Sequence, residues 1–270
     1  MKIFGKVGRI FYGSAIAATG IQQFFFKEFF QILFPPFQGA GLIYVAYVIG
    51  FFLFVSGAAI ALDIKTRFFG FALAGLFLLL FIFFYVPYEL IFSPYKAYHL
   101  GLWINPLKEL AYAGGALVIA GESALSRNTS EFKFHVPVFL EKLIPLGPVM
   151  FSFTMISFGV SHFYYTDTVQ QMVPDWIPSH LFWTYFAAVA LIGAGIAIII
   201  KFHVYLIANL LGLMIFLWFI LLHMPGALAD PTGNNGLQVY SAFSALAFSG
   251  IALVIANGIG SSRKSISGNE

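Results

Sequence analysis

The two halves of this 270-residue chain repeat each other. Gly20-Ile21-Gln22-Gln23-Phe24-Phe25 is answered, 139 positions later, by Gly159-Val160-Ser161-His162-Phe163-Tyr164. Fifteen residues after each glycine a proline precedes an aromatic, Pro35 with Phe37 and Pro174 with Trp176. Gln31 matches Gln170 and Gly8 matches Gly147 in the same register. Further on, Gly57-Ala58 meets Gly193-Ala194, with Lys65 and Lys201 closing the two runs. The pentapeptide Ala-Leu-Val-Ile-Ala occurs at 116–120 and again at 252–256. Collinear matches along most of each half imply a duplicated unit. The fold is therefore expected to hold two copies of one arrangement, and function is to be sought where the copies differ.

The medium follows from composition. The chain is 60% hydrophobic and 9% charged, with a mean hydropathy of +0.89. A soluble domain carries about 25% charged residues, so this chain could not clothe itself in a polar surface. Eight apolar runs are long enough to cross a bilayer as helices, at 5–24, 41–62, 67–86, 106–121, 147–165, 180–200, 204–223 and 238–257. Four fall in each half. An even number brings both halves in from the same side, related by an axis along the membrane normal. The expected fold is an all-α integral membrane protein, eight transmembrane helices in two parallel-repeat four-helix bundles. Residues 1–121 form the first unit, 122–146 a cytoplasmic linker, 147–257 the second unit and 258–270 a cytoplasmic tail.

Lys27, Lys96 and Lys108 fall on one side of this topology and the other eleven of 14 Lys and Arg on the opposite side. The positive-inside rule then places both termini in the cytoplasm, in a bacterial inner membrane. The basic start and Ala15–Ala18 of the first run resemble a signal peptide. That run is the repeat partner of the fifth, however, and is read as a retained span. The net charge of +3 is the topology signal and does not point to nucleic acid. With no cysteine, the chain itself cannot carry dithiol chemistry, iron–sulfur clusters or thiolate zinc.

The aromatic stretch 24–37, broken by Pro35 and Pro36, reads as a short interfacial helix, and 164–176 as its counterpart. Both are membrane-belt anchors or, alternatively, a lid. The linker stretch 131–136 alternates charged and apolar residues and reads as surface-lying. Gly114, Gly115, Gly121, Gly250 and Gly258 in the fourth and eighth runs suit close helix packing.

Ionisable groups in spans are costly and default to functional candidates. His162 ends the fifth run, His180 starts the sixth and His223 ends the seventh, so all three are expected at the outer face of the second unit. Trp176, Trp183 and Trp218 are their aromatic neighbours. Three readings stand: histidines that cap helix ends, a pocket holding a quinone headgroup or similar amphiphile, or metal or bis-histidine haem ligation. No i, i+4 histidine pair or carboxylate–histidine motif supports the last, so no metal site is assigned and haem is disfavoured. The first unit offers Gln23 for His162 and Tyr85-Val86-Pro87-Tyr88-Glu89 near the place of His223. Its outer set adds Gln22, Tyr95, Tyr98 and His99. Histidine alone of these changes charge near neutrality, so the second unit is the expected active half. Glu109 and Asn209 lie deeper and read as hydrogen-bonded across helices inside the bundle.

On Gly159-Val160-Ser161-His162-Phe163, on the stretch from Met172 to Trp183 and on Gly193-Ala194-Gly195, the repeat unit resembles the DoxX-like family of four-helix membrane proteins. The likeness covers most of 147–257 and, more loosely, 5–121. It implies the four-helix fold. Through relatives that resemble the membrane subunit of a thiosulfate:quinone oxidoreductase or partner redox-linked membrane complexes, it also implies quinone chemistry. The expected function is a redox-associated membrane subunit with a quinone-like or amphiphile pocket at the outer face of the second unit. The alternatives are a structural or partner-binding membrane protein without cofactor, and a small-solute transporter. Beyond the lipid bilayer, a membrane redox complex or other protein is the expected partner.

Overall fold

In a bilayer every backbone polar group must be satisfied within the chain, and apolar runs of this length do so as helices. The computed structural model describes residues 3–26, 42–93, 99–125 and 137–266, with backbone alone at 42, 123–125 and 259–266. All regular structure among them is helical. The long helices are α1 (Ile3–Phe26), α2 (Leu42–Ala61), α3 (Thr66–Leu79), α4 (Ile104–Leu125), α6 (Gly147–Tyr164), α8 (His180–Ile199), α9 (Val204–Trp218) and α11 (Leu237–Ile266). Short helices α5 (Val138–Glu141), α7 (Thr166–Gln170) and α10 (Met224–Ala229) join them.

Six stretches among the described residues are long and apolar enough to cross a membrane: Ile43–Ala61, Thr66–Phe92, Val138–Tyr164, His180–Ile199, Val204–Ala229 and Gly233–Gly258. The chain thus has a multi-pass membrane architecture. α1 and α4 are as long but carry Lys6 and Arg9, and Lys108, Glu109 and Glu122, which lower their hydropathy. Outward faces are apolar: Val48 and Phe51 on α2 are 69% and 62% exposed, and Leu206 and Leu210 on α9 are 57% and 56% exposed. Acyl chains cover such a surface at no cost, whereas water would not tolerate it.

The helices pack as one body. α1 packs on α2 and on α11, α6 on α8 and on α4, α3 on α4, α9 on α11, and α4 meets α11 between them. Several helix contacts depend on glycine, two of them glycine on glycine between the halves of the chain. A Cβ on Gly8 would lie 2.5 Å from the Gly250 carbonyl oxygen, and one on Gly250 2.5 Å from that of Gly8. Gly114 and Gly147 stand in the same relation, at 2.5 and 2.6 Å. At this separation backbone touches backbone, the approach that small residues permit in membranes. Gly258, read as a packing glycine, has open space at its Cβ.

The turns from α2 to α3 and from α8 to α9 have one geometry. Asp63 and Lys65 have φ of 64° and 45°; Lys201 and His203 have 60° and 40°. Leu62, Asp63 and Ile64 donate their N–H to Ala58, Ile60 and Ala59; Ile200, Lys201 and Phe202 donate to Ile196, Ile198 and Ala197. Each helix that follows ends in a π-helical stretch, Leu80–Tyr85 beyond α3 and Phe219–His223 beyond α9. The cause is readable in sequence, because Pro87 and Pro225 stand two residues past these stretches. A proline donates no N–H and crowds the carbonyl four residues back, and a widened turn relieves both faults.

Most of the stretch 24–37, the segment 131–136 and the end of the tail lie outside the described residues. The counterpart 164–176 is only partly helical. It folds back so that Val173 is buried.

Candidate functional site: a buried charged centre where α4 meets α11

Lys108 and Glu109 are the fifth and sixth residues of α4. Both are buried, Glu109 completely. Successive helical residues point away from each other, so the two charges diverge. The Lys108 ammonium sits over the ring of Tyr240 on α11, 4.9 Å from its centroid, a cation–π contact. Beyond it, His223 lies within electrostatic reach. Glu109 lies within electrostatic reach of Tyr12, Tyr85, Tyr112 and Tyr240.

The tyrosine hydroxyls nearest the carboxylate are engaged elsewhere. Tyr12 donates to the Tyr112 carbonyl at 2.9 Å. Tyr112 donates to Ser244 Oγ at 2.8 Å, and Ser244 donates to the Tyr240 carbonyl at 2.9 Å. Neither oxygen of Glu109 accepts a hydrogen bond among the described residues. The Nδ1 of His223 and one oxygen of Glu89 are likewise buried and without a hydrogen bond. Glu89 stands in a third π-helical stretch, Tyr88–Phe92, within electrostatic reach of Tyr85. Gln22 on α1 donates to the carbonyl of Gly236 at 2.8 Å and ties down the left-handed turn that starts α11. Burying an ion without matching hydrogen bonds costs several kcal/mol. An ionisable pair buried in this way is weak evidence of a stabilising role.

Of the expected site residues, His223 alone enters this centre. His162 donates Nδ1–H to the Phe158 carbonyl of its own helix at 2.7 Å. His180 is the first residue of α8, half-buried. Trp183 and Trp218 do meet, edge to face at 5.9 Å, while Trp176 is 69% exposed. Among the described residues, no three His, Asp or Glu side chains come together as a metal site would need. Asn209 bonds the Tyr205 carbonyl one turn back at 2.7 Å and reaches no other helix. Glu109 does lie in the interior, but without the cross-helix bond expected of it.

Sequence reading passed over Lys108 by using it only as a topology signal, and Tyr12, Tyr112 and Tyr240 by counting them as apolar. Two adjacent opposite charges inside an apolar run were the available signal. No family model, no curated protein and no solved structure matches this chain.

Proposed function

We propose that this chain is a bacterial cytoplasmic-membrane protein of two DoxX-like four-helix units that holds an amphiphile by its headgroup at the Lys108–Glu109 centre. One observation carries the reading: a fully buried carboxyl group with no hydrogen-bond donor among the described residues, beside a buried ammonium that sits over the Tyr240 ring. The centre begins about 8 Å along α4 from its first residue, at 1.5 Å per residue. That is the depth at which headgroups give way to acyl chains. The pocket therefore lies at the junction of the units, with His223 as the second unit's contribution, in place of an outer-face pocket in the second unit alone.

The duplicated architecture draws support from the paired turns and glycine contacts. Those turns support a register of 138 positions, Asp63 with Lys201 and Lys65 with His203. Gly57 then corresponds to Gly195, not Gly193. Gly57 abuts the Gly13 carbonyl and Gly195 that of Ser152, while Gly193 faces open space. The same register makes Tyr85 the partner of His223 and Pro87 that of Pro225. A quinone fits the centre chemically, since its carbonyls accept from Lys108 and the hydroxyls of the quinol donate to Glu109. The link to a redox complex rests on the DoxX-like resemblance alone.

Mass spectrometry of small molecules co-purifying in mild detergent tests the reading. The wild-type chain is expected to retain an amphiphile that Glu109→Gln loses; equal retention by both would remove the centre from ligand binding. Orientation is tested by single cysteines at 65 and 264 in this cysteine-free chain. Labelling of either from the outer side overturns cytoplasmic termini.

A further inference from the structure

The centre holds two ionisable groups of opposite kind, Lys108 and Glu109, within electrostatic reach of each other but without an ion pair between them among the described residues. Lys108 has its ammonium over Tyr240 and the unpartnered Nδ1 of His223 near by. Glu109 has two free acceptor oxygens, with Tyr85 and Tyr112 in its surroundings. Two of the three π-helical stretches among the described residues end on Tyr85 and His223, which lie within electrostatic reach of Glu109 and Lys108 respectively. π-bulges are frequent at functional sites. A quinone carries no charge and would meet each group with a neutral hydrogen bond alone. An anionic headgroup would satisfy Lys108 and repel Glu109. A headgroup with one cation and one anion answers both.

We propose that the centre binds a zwitterionic headgroup of the phosphoethanolamine type. Its ammonium rests on Glu109 among the rings of Tyr85 and Tyr112, and its phosphate on Lys108 and His223. The proposal rests on the reading that this centre holds an amphiphile, and it names the amphiphile's chemistry. An ammonium supplies the N–H donors that both Glu109 oxygens lack, and its charge favours aromatic faces. Phosphate oxygens accept from the ammonium of Lys108 and from an imidazole N–H.

The test uses the full chain, delipidated in detergent and offered phosphatidylethanolamine, phosphatidylglycerol and a short-chain ubiquinone in equal amounts, with retention read by native mass spectrometry. Phosphatidylethanolamine is expected to be retained over phosphatidylglycerol by about tenfold or more, the scale of one charged hydrogen bond. Glu109→Gln should erase that preference, and Lys108→Met should weaken both phospholipids. Retention of the ubiquinone in a Glu109-dependent way overturns the zwitterion and leaves the amphiphile reading standing. Equal retention of the two phospholipids by the wild-type chain also overturns it. Retention of all three that neither substitution alters overturns both. Should either variant misfold, the headgroup series on the wild-type chain alone decides.

Discussion

Helices α4 and α11 hold corresponding places and do different things. Each carries Ala-Leu-Val-Ile-Ala, and each presses a glycine, Gly114 or Gly250, against the first helix of the opposite half. Two residues ahead of that glycine α4 has Tyr112, where α11 has Phe248; three residues further up α4 has Glu109 and Lys108, where α11 has Ala245 and Ser244. The contact surface is preserved while the charges sit on one helix only. Matching helix contacts thus carry one asymmetric centre rather than two equal ones. The polar groups of α11, Tyr240 and Ser244, face the charges of α4 instead of repeating them.

The largest effect expected from this comparison concerns what the two helices share. Gly114→Leu and Gly250→Leu should each cost about 3 kcal/mol or more, because backbone atoms occupy the space the side chain needs and cannot yield. Both should lower the melting temperature in detergent sharply and to a similar degree, whereas Gly193→Leu, with open space at its Cβ, should not. A large loss from one substitution beside a small loss from the other would show that the two contacts are not equivalent.

What the helices do not share predicts the opposite behaviour. Glu109→Gln should leave the melting temperature unchanged or raise it, since removing a buried unpaired charge relieves a desolvation cost. The same variant should lose its bound amphiphile. A fall in stability without change in retention would make Glu109 a structural residue.

The imidazoles come next. His223→Ala should weaken retention by about 5- to 150-fold, the equivalent of a lost buried partner worth 1–3 kcal/mol. His162→Ala should change it less than twofold, because its ring serves the Phe158 carbonyl and lies apart from the centre. Equal effects at 162 and 223 would restore the second-unit pocket expected from the sequence.

The helical class and the positions of the long helices could be read from the sequence because each depends on apolar runs that survive substitution. The register of the second and third helices could not. Gly57 and Gly193 share an alanine neighbour by coincidence, and only the turn geometry shows that Gly195 is the packed residue. The centre was illegible for a related reason. A tyrosine counts as apolar until its hydroxyl has a direction, and Lys108, though inside the fourth apolar run, reads from sequence as a topology signal alone. Three outer-face histidines on separate helices look convergent in one dimension, yet helix rotation turns His162 toward its own backbone.

The smallest expected effect tests the register directly. Lys65 and His203 have φ of 45° and 40°, left-handed values that cost a side-chain-bearing residue roughly 1–2 kcal/mol. Glycine relieves that strain but adds freedom to the unfolded chain, an opposing term of about 0.4–1 kcal/mol. Lys65→Gly and His203→Gly should therefore each stabilise the chain by about 0.5 kcal/mol, with His203→Gly slightly lower because it gives up the ring contact with Phe202. Thermal melting of the two variants and their double mutant decides the matter. The turns lie on separate loops, so the gains should add. Stabilisation at one position and destabilisation at the other would mean that the turns differ and that 138 is not the true register.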